Sequence, residues 1–195
     1  MTVGLALLVA PLAGRLDAAA QNAAAQDVAV PVNVHLPILM KILNFDRNLP
    51  PRVQGEIWVG VVYQAGYRVS SRVAADVQAS VAALPADILG GFPIRAVPID
   101  LDGVDDLAAT LAQQRVRVLY VAPLRGVAIG DIVGASRAAR VPTMTGVPEY
   151  VADGIGVGID AKGDRPQIVV NVPASRREGA DFSSQLLKLA RIVNR

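Results

Sequence analysis

Two kinds of hydrophobic pattern alternate along this chain. Over residues 35–48, Leu36, Leu39, Met40 and Leu43 recur at helical spacing, with Pro37 suited to a first helical turn and Pro50-Pro51 ending the element. Glu56–Tyr63 is a nearly continuous Val/Ile-rich run, the pattern of a strand covered on both faces. Val73, Val77, Val81 and Leu84 then mark one face of a helix over 69–87, with Ser70 or Ser71 as candidate cap. Strand patterns follow at 94–99, 117–122 and 141–145, and helical patterns at 102–114 and 126–139. Strands alternating with helices predict βαβ units, a parallel sheet and right-handed crossovers.

The alternation changes near residue 150. Gly154–Asp160 and Gln167–Val172 flank a turn-rich segment at 161–166, which predicts an antiparallel hairpin. Phe182, Leu186, Leu189 and Val193 keep helical spacing to the C-terminus. The fold class expected is therefore a three-layer α/β domain, with a mainly parallel sheet, an antiparallel edge hairpin over 153–172 and a C-terminal helix.

The N-terminal residues change the domain picture. An apolar run from Val3 to Gly14 is too short for a bilayer, whose core takes roughly 20 residues. Ala18-Ala19-Ala20 and Ala23-Ala24-Ala25 follow it. A short apolar core and then small residues is the pattern of a secretory leader, here without a basic residue ahead of the run. Residues 1–25 read as a signal peptide cleaved after Ala25, with Ala20 as the alternative, and 26–195 as one domain.

Composition excludes several function classes. The chain has no cysteine, so disulfides, thiol nucleophiles and thiolate metal sites are absent. A net charge of +2 with 4% aromatic residues gives neither a basic stripe nor a stacking platform for nucleic acid, and only Arg176-Arg177 clusters. His35 is the single histidine and reads as a polar residue near the start of the first helix. No nucleophile elbow, P-loop or zinc-protease motif occurs. Gly154, Gly156 and Gly158 read as strand glycines that permit close packing, and Asp100, Asp102, Asp105 and Asp106 as helix-start acids opposing a dipole. The expectation is a binding protein without catalytic, metal or cofactor site.

The closing run Val170-Asn-Val-Pro-Ala-Ser-Arg-Arg-Glu-Gly-Ala-Asp-Phe-Ser-Ser-Gln-Leu-Leu-Lys-Leu-Ala-Arg-Ile-Val193 resembles the end motif of the YfiR-like family. Ile38–Leu49 and Val59–Tyr63 are similar to that family's first helix and strand. The resemblance implies an exported periplasmic regulator that restrains cyclic-di-GMP synthesis by contacting the sensor region of an inner-membrane diguanylate cyclase. The best-known branch carries redox-linked cysteines, so that sensing mode does not carry over to a cysteine-free chain. The middle of the chain, with Gly146–Val151 and Gly154–Asp160, also resembles one lobe of ABC-type solute-binding proteins, which implies a small-molecule ligand as the alternative. A homodimer is compatible with either reading.

In open parallel sheets ligands sit beyond the carboxyl ends of the strands. On the expected topology that rim holds Tyr63, Gln64, Ser70, Ser71, Arg125, Thr145, Glu149 and Tyr150, a set of hydroxyls, an amide, a cation and a carboxylate suited to polar recognition.

Overall fold

The computed structural model describes residues 28–53 and 55–194. The leader expected over 1–25 lies outside the described residues. Seven strands form one sheet in the order β2-β1-β3-β4-β5-β6-β7. They are β1 (Ile57–Tyr63), β2 (Ile94–Asp100), β3 (Val116–Val121), β4 (Thr143–Thr145), β5 (Val157–Lys162), β6 (Arg165–Asn171) and β7 (Arg191–Val193). All neighbouring pairs are parallel except β5 and β6. The helices are α1 (Val32–Ile42), α2 (Arg68–Ala82), α3 (Leu107–Gln113), α4 (Ile129–Ala139), α5 (Glu149–Ala152), α6 (Val172–Arg177) and α7 (Ser184–Leu189).

Two apolar layers bury the sheet. One joins α1, α2 and α7 to Val59, Val61, Val118, Tyr120 and Met144; the other joins α3 and α4 to Val62, Ile99, Leu119 and Val121. Alternate strand residues feed alternate layers, as the pleat requires. β3 departs from this once. Its register against β1 shifts between Trp58 and Val59, so Val116 and Val118, two residues apart, enter opposite layers. Gly60 sits where a Cβ would meet Val116, Ile99 and Leu119 at 3.0–3.1 Å, so the bulged strand closes tightly on β1.

The three-layer, mainly parallel fold is as expected, and several element ends differ. Helix α1 begins at Val32, which places Pro37 inside it rather than in a first turn. Helix α2 has no side-chain cap: Ser70 and Ser71 lie within its first turn and bond back to the preceding loop. Helix α3 starts at Leu107, capped by Asp106, whose Oδ1 accepts from Ala109 N at 2.9 Å. The hairpin turns at Gly163, which takes φ +59° at the first central position. It is not the last element of the sheet. The helix expected through Val193 stops at Leu189, Ala190 is extended, and Arg191–Val193 pairs with β6 as a parallel edge strand. Among the described residues no helix is long and apolar enough to cross a membrane.

Candidate functional site

Strand order reverses between β1 and β3, because the chain leaves β1 toward β2 on one side and returns to β3 on the other. That switch point is where open α/β sheets form a crevice at the strands' carboxyl ends. Gln64 spans it: its Oε1 accepts from Arg125 N at 2.7 Å, while Gln64 N donates to Ser70 Oγ at 3.0 Å. Ser71 Oγ donates to the Gln64 and Ala65 carbonyls at 3.1 and 3.2 Å. Asp100 and Asp102 close the same loop by accepting from Ala65 N and Gly66 N. The Arg125 guanidinium lies 4.8 Å over the Tyr67 ring, a cation–π arrangement.

The next loop is tied in the same way. Thr145 is fully buried; its Oγ1 donates to Val121 O at 2.9 Å and accepts from Val147 N at 3.0 Å. Tyr150 Oη accepts from Leu124 N at 2.9 Å, and burial pushes its phenol pKa up. Gln64, Ser70, Ser71 and Arg125 are thus brought together, and Thr145 and Tyr150 brace the adjoining loop. Tyr63 and Tyr150 pack against opposite layers, and Glu149 is exposed. Most of the polar capacity at this rim is used to fix the loops to one another.

Two buried polar groups had no functional reading in the sequence. His35 is wholly buried: its Nδ1 donates to Val30 O at 2.7 Å, and its Nε2 accepts from Tyr120 Oη at 2.9 Å. Burial lowers the His35 pKa and raises that of Tyr120, so both stay neutral. Gly146 makes room for the ring, since a Cβ there would fall 2.7 Å from His35 Cε1. Glu178 is the second. It accepts from Thr143 N at 2.9 Å and Thr143 Oγ1 at 2.5 Å, and Gly156 leaves space for it. Burial pushes its carboxyl up to about 7 against the opposing hydrogen bonds from Thr143 and the field of Arg137.

At the opposite, amino end of the parallel strands, Asn48, Pro51, Arg52, Arg140, Arg176 and Gly179 line a cleft of about 350 Å³. Arg52 is held by backbone: Nη1 donates to Gly179 O at 3.3 Å and Nη2 to Arg140 O. These arginines come from loops and helix ends far apart in sequence. Only Arg176, beside Arg177, stood out beforehand.

The comparisons agree with this architecture. The family model described as DUF4154, YfiR/HmsC-like, matches residues 69–191. No curated protein matches the chain in sequence. Among solved structures, a conserved domain protein from Vibrio cholerae aligns at 15% identity with a TM-score of 0.58, over 86% of this chain and 61% of that one. The ABC domain from Streptococcus pneumonia in complex with L-Trp aligns at 12% identity with a TM-score of 0.55, over 79% and 61%. CD0873, a substrate-binding protein with adhesive properties from Clostridium difficile, aligns at 15% identity with a TM-score of 0.50, over 71% and 54%. The chain thus spans about three fifths of the first two structures, and at these identities the likeness is one of fold. Because the family model covers well over half of the sequence, the chain belongs to the YfiR/HmsC-like family.

Proposed function

We propose that this protein is an exported, non-catalytic regulator that works in the periplasm by binding the sensor region of an inner-membrane signalling protein, of the kind that controls cyclic-di-GMP. The family match over residues 69–191 carries this reading. The distribution of exposed apolar residues supports it. Val34 on α1 and Leu189 at the end of α7 are 43% and 71% exposed, and both elements belong to the same layer. A protein contact on this layer would bury both side chains.

Site-specific photo-crosslinking in the envelope tests the reading. A crosslinker replacing Leu189 should capture an inner-membrane protein with a signalling output domain, and one replacing Lys162 on the hairpin should not. Equal capture from both positions, or none from either, would count against this docking layer. The second reading is a small-molecule site at the rim, favoured by the Arg125–Tyr67 stack at the switch point and by the L-Trp-bound fold neighbour. In the same study it predicts saturable tryptophan binding that Arg125→Ala weakens.

A further inference from the structure

Several arginines gather at the amino end of the sheet. Arg115 and Arg117 precede and open β3, Arg140 precedes β4, Arg176 and Arg177 end α6, and Arg52 precedes β1. Part of this follows from helix ends, where basic residues oppose the macrodipole. Dipoles do not account for Arg52, which belongs to a three-residue turn. Nor do they account for three arginine residues bordering one 350 Å³ cleft that has no acidic residue in its lining.

The cleft is built as well as charged. Arg52 is half-buried and oriented by two carbonyls, so its remaining N–H groups are directed rather than free to rotate. Gly179 takes φ +90°, a conformation that favours glycine, and a Cβ there would press on Arg52 Nη1 at 3.2 Å. Asn48 Nδ2 donates to the same Gly179 carbonyl at 3.0 Å, fixing the wall from the other side. Arg140 ends α4 in the left-handed region, φ 54° and ψ 45°, where glycine is favoured and a long side chain is strained. Charges of both signs act on Arg52. Burial depresses Arg52 and the neighbouring Arg117 and Arg140 repel it, with the buried Asp46 carboxylate in opposition. Asp46 Oδ1 accepts from Asn48 N and Asp181 N, its buried Oδ2 has no hydrogen-bond partner among the described residues, and the residue does not line the cleft.

We infer that the Arg52–Arg140–Arg176 cleft is a binding site for a phosphate group, carried by a small phosphomonoester or by a lipid headgroup. Guanidinium forks match phosphate oxygens bidentately, and their fixed geometry is what separates them from lysines as phosphate ligands. A cleft of this volume holds one phosphate with a small organic substituent. It is independent of the partner contact proposed above, and lies at the end of the sheet opposite the rim.

Arg140→Gly separates binding from folding. It removes one guanidinium and relieves the left-handed backbone, while the carbonyl that holds Arg52 stays in place. Its Tm should rise by about 2 °C. Its affinity for glycerol 2-phosphate, read by calorimetry, should fall on the order of tenfold, and further when combined with Arg176→Ala. Arg165→Ala on the hairpin serves as control and should bind as the parent does. Flotation with vesicles containing phosphatidylglycerol distinguishes the sources. Arginine-dependent binding of the soluble ester alone identifies a free phosphomonoester, and of vesicles alone a headgroup. No saturable binding of either probe, or binding that Arg140→Gly with Arg176→Ala leaves unchanged, overturns the inference.

Discussion

At the scale of single residues, Glu178 has the clearest measurable signature. In the folded protein its carboxyl keeps a proton up to about pH 7, whereas in the unfolded chain it loses it near 4.5. The folded state therefore binds the extra proton between those values, and stability falls as pH rises through that window. A shift of this size corresponds to about 3 kcal/mol. Glu178→Gln keeps an oxygen for Thr143 N and carries no charge, so it should match the parent near pH 4.5 and be more stable by about 3 kcal/mol at pH 8. Urea denaturation at the two pH values measures the difference; equal gaps at both would show that burial does not hold the proton. None of this was legible beforehand, because Glu178 meets Thr143 across 35 residues, and the sequence around it reads only as a turn.

At the scale of elements, local pattern served well where packing agreed with it. Helix α2 and strands β1 and β3 carry periodicities that match their burial, and the hairpin carried its own turn chemistry. The last helix was misleading for a physical reason. Phe182, Leu186 and Leu189 do keep helical spacing, but Arg191-Ile192-Val193 finds an open strand edge at β6, and edge pairing wins over one more helical turn. Leu189, read from the sequence as inward, consequently ends in water. The caps offered by Ser70 and Ser71 also lost to a tertiary demand, since both hydroxyls hold the Gln64 loop. Strand β7 covers the ladder groups of β6, and an exposed edge invites pairing between chains. A chain truncated after Ala190 should lose several degrees of Tm and form larger species in light scattering. A monomer with unchanged Tm would mean that β7 contributes nothing to the edge.

At the scale of the whole molecule, His35 and Glu178 act as a pair without touching. Burial holds the folded-state pKa of His35 below the 6.5 of the unfolded chain, so its contribution to stability rises with pH toward 6.5. Glu178 does the reverse between 4.5 and about 7. Between pH 4.5 and 6.5 the two groups therefore pull stability in opposite directions, the histidine raising it and the carboxyl lowering it as pH rises. Between pH 6.5 and about 7 the carboxyl acts alone, and stability should fall as pH rises. Glu178→Gln should remove the downward contribution, so that stability climbs more steeply toward pH 6.5 than in the parent; a profile with the same shape in both proteins would refute the pairing. The rim was legible at this scale because topology alone places strand ends. The arginine cleft was not, because its members meet only when the amino end of the sheet is assembled.

The chain also has a direction. Its first described residues lie at the rim, where Ala29 N donates to Gly146 O beyond β4, and its last lie at the other end, where Asn194 Nδ2 donates to Ala152 O. Entry and exit are therefore on opposite poles of the sheet. A surface that holds the molecule by its N-terminal side faces the rim and leaves the arginines pointing outward, while one that holds it by its C-terminal side crowds them. Which end is tethered decides which of the two poles an approaching molecule meets first.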